Sequence, residues 1–250
     1  MIVEFIGSTA AGKTTLIPKV QLRLAKTIVV TTPFDLIRAP LGLKHNTHST
    51  VKNLVQELAS LPFFLASVRR NRKFIAFMLR MLARQANFTI FTINNLRSLE
   101  RKIGVYELIR RYGRERIILV DEGTVLSAHN IFVYSNASYT PEEIARFANL
   151  LPLPDVIVYV RASTESLIER TLQRTDPPRE IKSKDPMLIE GCIKRAVTIF
   201  EQLIETEEIR DRVLIVDNPD SSDEGRDAAA DHIAQCIIEY QPAVELSSAL

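Results

Sequence analysis

The chain has 250 residues, 46% hydrophobic and 25% charged, with a formal net charge of +2. That length allows one large or two small domains to bury most of their apolar surface, and the composition is that of soluble globular proteins. A disordered chain, a disulfide-stapled miniature and a transmembrane bundle are excluded, since no run approaches the ~18 apolar residues of a span.

The first predicted element is the apolar, β-branched stretch Ile2-Val3-Glu4-Phe5-Ile6, short enough for a buried strand. It runs into Gly7-Ser8-Thr9-Ala10-Ala11-Gly12-Lys13-Thr14, which fits G-x-x-x-x-G-K-[ST] at every specified position. A loop of this spacing wraps a pyrophosphate with backbone N–H groups while the next helix, opened by Lys13, Thr14 and Thr15, turns its positive end to the anion. Lys13 is expected to reach the β- and γ-phosphates and the Thr14 hydroxyl to ligate Mg²⁺, so the first expectation is bound ATP or a similar triphosphate. Pro18 falls inside that helix and predicts a kink, not a lost helix.

Four further Val- and Ile-rich runs follow, Thr27 to Thr32, Arg116 to Val120, Asp155 to Val160 and Val213 to Val216. Each gap exceeds twenty residues and carries helical periodicity, which predicts βα crossovers and a five-stranded parallel sheet covered on both faces. Helix starts are marked by Thr140-Pro141-Glu142-Glu143, Asp185-Pro186 and Ser221-Ser222-Asp223-Glu224, and Gly113 reads as a helix stop. No linker divides the chain, so residues 1–241 read as a single domain and 242–250 as a loosely held tail.

The third run ends Val120-Asp121-Glu122-Gly123, where a parallel sheet opens its ligand crevice. Asp121 is the expected second magnesium ligand, and Glu122 the group that takes or orients an acceptor proton. Asp35, at the end of the second run, is an alternative for that task, or a loop cap.

This order of parts resembles the P-loop nucleoside and nucleotide kinases, in particular the thymidylate-kinase-like branch, from Met1 to about Asp217. Pro154-Asp155 with its apolar strand matches that branch, as does the helix from Ser163 through Leu167-Ile168-Glu169-Arg170 to Arg174. The resemblance implies a three-layer αβα P-loop NTPase fold and an arginine-bearing lid, here at 174–186, that closes over the phosphates with Arg170, Arg174 and Arg179. Two departures stand out. The chain has Asp121-Glu122-Gly123 where thymidylate kinases carry Asp-Arg-aromatic, and Thr32-Pro33-Phe34-Asp35 where they carry a Glu-Pro-Gly-Gly-type turn. A carboxylate at 122 suits a hydroxyl acceptor better than an ionised phosphate.

Between Arg69 and Arg116 stand thirteen Lys or Arg against three acids, so the rest of the chain is net acidic. The asymmetry points to an anionic partner, with Lys73, Phe77, Arg80 and Arg84 along one helix side, and Phe63, Phe64, Phe74 and Phe77 as pocket lining or plain core. A membrane surface is a lesser expectation, and no nucleic-acid motif accompanies the charge. The chain therefore reads as a Mg·ATP-dependent kinase for a small-molecule acceptor, a nucleoside, nucleotide or other metabolite; the alternative is an ATP-binding regulatory module. No GTPase or cassette-motor motif is present. Cys192 and Cys236, far apart and without a His or Cys cluster, are expected as buried free thiols, and the N-terminus has no signal-peptide pattern, so the expected location is cytoplasmic.

Overall fold

The computed structural model describes residues 1–42, 49–84, 90–134, 138–175, 181, 185–218 and 222–247, with the side chains of 49–50, 90–91 and 241–247 outside that description. Strands β1 (Ile2–Ile6), β2 (Val30–Thr31), β3 (Ile117–Val120), β4 (Val156–Arg161) and β5 (Val213–Asp217) form one parallel sheet in the order β2-β3-β1-β4-β5. β1 is central, Val3 pairing with Leu119 on one side and Val156 on the other. All five predicted strands form, but the second is shorter than its apolar run. Thr27 and Ile28 donate their N–H groups back to the Leu24 carbonyl at 3.0 and 2.9 Å, closing the preceding helix instead of joining the sheet.

The helices are α1 (Lys13–Leu24), α2 (Pro33–Arg38), α3 (Ser49–Ser67), α4 (Arg72–Ala83), α5 (Ile90–Tyr112), α6 (Pro141–Leu150), α7 (Thr164–Gln173), α8 (Pro186–Ile204), α9 (Glu207–Arg210) and α10 (Asp223–Ser247), with a π-helical turn at His129–Val133. α1 continues through Pro18. Thr140 closes a reciprocal capping box with Glu143, Asp185 accepts from the Met187 N–H at 2.9 Å, and Ser222 accepts from the Gly225 N–H at 3.1 Å. These side chains satisfy N–H groups that a helix start leaves without partners. The backbone of α10 carries on to Ser247, into the stretch read as a tail.

Strand alternation sorts β1 between two layers. Val3 and Phe5 pack with Leu16 and Val20 of α1 and Ile233 of α10. Ile2 and Ile6 face the other way, toward Tyr106 and Ile109 of α5 and toward a cluster with Phe132, Phe147 and Phe200. Phe74 and Phe77 belong to this second core, their rings 5.7 and 6.3 Å from Phe147, so they are core, not pocket lining. Phe77 is thereby separated from Lys73, Arg80 and Arg84, which stay exposed. Both cysteines are reduced thiols and only half-buried, Cys192 at the margin of the two cores and Cys236 beside His232. Among the described residues no helix is long and apolar enough to cross a membrane.

Candidate active site

Residues 7–12 leave the end of β1 and turn directly into α1. The turn takes positive φ at Gly7 (139°), Ala10 (63°) and Gly12 (95°). A side chain on Gly7 would overlap the Val160 carbonyl and one on Gly12 the Asn218 amide, so these two positions need glycine for conformation and for space. The amide nitrogen Nδ2 of Asn218 donates to the Ala11 carbonyl at 2.8 Å, tying the loop to the end of β5.

Lys13 folds back over this loop, its Nζ donating to the carbonyls of Gly7 and Ser8, 2.9 Å each. Burial lowers its amine to about 8 and Arg174 adds to that, while Asp121 and Glu122 oppose it. The Ser8 hydroxyl is buried with no hydrogen-bond partner among the described residues. An ammonium, a helix start and an unsatisfied hydroxyl fit the oxygens of a polyphosphate.

Thr14 Oγ1 donates to Asp121 Oδ2 at 3.1 Å, joining the start of α1 to the end of β3. Burial raises the Asp121 pKa, with Lys13 and the Thr14 bond acting against it. One hydroxyl and one carboxylate, with open space beside them for water and phosphate oxygens, are the hard oxygen donors magnesium takes. Glu122, the next residue, is largely exposed and accepts from an Arg101 guanidinium nitrogen at 3.2 Å.

Two cavities meet at these residues. The first, about 710 Å³, is lined by the phosphate loop, Lys102, His129, Arg170, Arg174 and Asn218 among others. The second, about 540 Å³, is lined by Phe34, Asp35, Lys52, Asn53, Gln56 and Arg101 among others. Thr14, Lys102, Asp121 and Glu122 line both.

Of the residues singled out in the sequence, Gly7, Thr9, Ala10, Ala11, Gly12, Lys13, Thr14, Thr15, Asp121, Glu122, Arg170 and Arg174 all line the first cavity, and Ser8 lies beneath it. Arg170 also donates to the Asn218 carbonyl at 3.2 and 3.3 Å. Arg174 follows the last residue of α7 in extended conformation; Arg179 lies outside the described residues. Asp35 lines the second cavity but is not the cap: Thr32 caps α2 by accepting from the Asp35 N–H at 3.2 Å, while the Asp35 carboxylate accepts from Thr32 Oγ1 at 2.8 Å and Arg38 Nε at 2.6 Å. Much of the basic segment pairs internally. Arg97 is bidentate to Glu57 at 2.7 Å, Arg70 pairs with Glu107 and Arg84 with Glu143.

Besides Asn218, the sequence reading missed Lys102, Glu4 and His129. Lys102, on α5, is buried between the cavities with no hydrogen bond or ion pair among the described residues, and burial lowers its amine against the pull of Glu122 and Glu4. Glu4 is a fully buried carboxylate in the central strand; it accepts from Tyr106 Oη and from the N–H groups of Val125 (3.2 Å) and Leu126 (2.8 Å), anchoring the loop after β3. Its signal was present as an acid inside an apolar strand. His129 sits in the π-helical turn with its ring 4.5 Å from Tyr134, and burial, with Lys13 and Lys102, lowers it to about 3.

A glycine-bracketed phosphate loop on the central strand of a parallel sheet, between two helical layers, is the three-layer αβα arrangement of P-loop NTPases. The chain has that fold. No family model and no curated protein matches it. Similar solved structures include the deoxyadenosine kinase of M. mycoides with the products dCMP and a flexible dCDP bound, 15% identical over 96% of this chain and 100% of that one, TM-score 0.45. The same enzyme with dATP bound is 12% identical over 93% of this chain and 99% of that one, TM-score 0.44.

Proposed function

We infer that this chain is a Mg·ATP-dependent kinase that transfers the γ-phosphoryl group to a hydroxyl of a small acceptor. The observation that supports this most directly is the meeting of two cavities at Thr14, Lys102, Asp121 and Glu122. A phosphotransferase needs a donor and an acceptor chamber opening onto one point, because in-line transfer is chiefly a matter of positioning and charge.

In this reading the first cavity takes the triphosphate. Lys13 exchanges the Gly7 and Ser8 carbonyls for β- and γ-phosphate oxygens, and the amides of the loop, with Ser8, hold the rest. Thr14 and Asp121 would hold magnesium, which when bound supplies neutralisation of the phosphate charge. Arg170 and Arg174 stand along the same cavity and bring positive charge over the transferring group; Arg179 is assigned with them as part of the lid.

The second cavity takes the acceptor. Phe34, with Lys52 over its ring, gives the wall an apolar edge, Asn53 and Gln56 offer amides, and Asp35 a carboxylate, a set suited to a heterocycle bearing hydroxyls, such as a nucleoside. Glu122 accepts the proton of the attacking hydroxyl, with a hydrogen bond from Arg101 positioning it. Lys102, shared by both chambers, stabilises the oxygens passing between them. The test is to supply Mg·ATP with pooled nucleosides, nucleotides and sugars and to measure ADP release. Acceptor-dependent release supports the kinase, whereas tight ATP binding without turnover across the panel would make the chain an ATP-binding regulatory module.

A further inference from the structure

α3 wears its side chains inside out. The face packed into the molecule holds Ser60 and Ser67, both buried, whose hydroxyls donate to the carbonyls of Glu57 at 3.1 Å and Phe64 at 2.9 Å. Ser60 lies so close to Gly104 of α5 that a side chain at 104 would overlap the Ser60 carbonyl. Small residues thus bring α3 and α5 close together, and although Phe64 packs against the core, a row of leucines and valines is left outside. Val51, Leu54, Leu58, Leu61, Leu65 and Val68, the last just past the helix end, are between 37% and 63% exposed. Hydration of this many leucines is unfavourable, and a helix that faced only water would turn them inward.

Their spacing is regular. The steps alternate three and four residues from 51 to 68, the a/d seam of a helix that pairs with another helix. The seam is also palindromic: Val51 and Val68, Leu54 and Leu65, and Leu58 and Leu61 are symmetric about the point between Ala59 and Ser60. A two-fold axis at that point lays a second copy of α3 antiparallel on the first and matches every member of the seam with its mate, which is the requirement of an isologous interface. Charge is sparse along the middle of the seam. From Asn53 to Val68 the one charged residue is Glu57, and Arg97 of the same chain holds it bidentate at 2.7 Å. The seam exposes roughly 500 Å² of apolar surface per copy, so two copies remove about 1,000 Å², the lower bound for a specific interface.

We propose that the chain forms a two-fold symmetric dimer through antiparallel α3 helices, with Leu58 of each copy against Leu61 of the other. Because Lys52, Asn53 and Gln56 of the same helix line the second cavity, the dimer also braces one wall of that chamber.

The full chain is examined by sedimentation equilibrium from about 1 to 100 μM. The unsubstituted chain is expected to be dimeric. The double substitution Leu58→Glu, Leu61→Glu is expected to raise the dissociation constant by about 100-fold or more, with the circular dichroism spectrum unchanged, since both side chains face solvent in the single chain. Leu22→Glu, at an equally exposed leucine of α1, is the control and leaves the dimer intact. Register is read by mild oxidation of mixed single-cysteine chains: Leu54→Cys with Leu65→Cys cross-links above the background of the native thiols, and Leu54→Cys alone does not. A monomer throughout the range, including one that instead floats with anionic lipid vesicles, overturns the proposal, as does a dimer that survives the double glutamate substitution.

Discussion

The carboxylate of Glu4 occupies the space that a side chain at position 123 would need. Glu4 reaches from the middle of β1 to the loop that leaves β3 and is buried there by Tyr106, Val125 and Leu126. The glycine that follows Asp121 and Glu122 is therefore set by an acid more than a hundred residues away.

Gly123→Ala is expected to cost about 2 kcal/mol, since the Glu4 carboxylate is held on three sides and cannot swing away. In a Glu4→Ala background the same substitution should cost at least about 1 kcal/mol less. Urea unfolding of the four chains measures the cycle, and strict additivity would remove the contact from the account.

In the proposed role Lys13 binds phosphate only as the ammonium, and in the free protein burial lowers it to about 8. Affinity for Mg·ATP should be level up to that pH and then weaken about tenfold per unit as the amine loses its proton. Lys13→Ala should abolish the binding and its thermal upshift. Calorimetric titrations from neutral pH to about 9.5 check both, and a flat profile would show that another group carries the charge.

Glu122→Gln should leave ATP affinity within about threefold and lower turnover with a hydroxyl acceptor by roughly 100-fold. Steady-state kinetics on the acceptor found by the pooled assay decide it. Unchanged turnover would transfer the proton-accepting role to Asp35.

In the proposed reaction, Lys102→Met separates the phosphoryl-transfer point from the nucleotide site. ADP should bind as before, while ADP with aluminium fluoride, a mimic of the group in flight, should bind at least about 30-fold more weakly. Lys102→Arg should recover part of the loss. Equal affinities in Lys102→Met would make this lysine structural only.

His129 is buried as the neutral imidazole, its pKa lowered to about 3 by burial, Lys13 and Lys102. The unfolded chain takes up that proton near 6.5 and the folded one does not until about 3, so stability present above 6.5 is lost as pH falls through this window. His129→Phe, whose ring can keep the packing against Phe200, should flatten this acid limb. Urea midpoints at pH 7, 5.5 and 4.5 would show parallel curves if His129 were not the group responsible.

The phosphate loop, the five strands and the capped helix starts were legible in the residues alone, because each depends on neighbours within a few positions: glycines at a turn, β-branched runs, a threonine three before a glutamate. Asp121 was legible because a strand end in a parallel sheet has a predictable address. Lys102, Glu4 and Asn218 were not, since a helix lysine, a strand acid and a loop amide have no local pattern and acquire their parts only when β1, β3, β5 and α5 are packed together. The fate of the basic segment was likewise decided in three dimensions. Charge counted along the chain suggested a partner, but Arg70, Arg84 and Arg97 meet carboxylates on α5, in the first turn of α6 and on α3, and what α3 turns to solvent is leucine. Local chemistry set the elements and the loop; long-range packing chose which buried charges face the crevice, because only the assembled layers determine which groups lose their water.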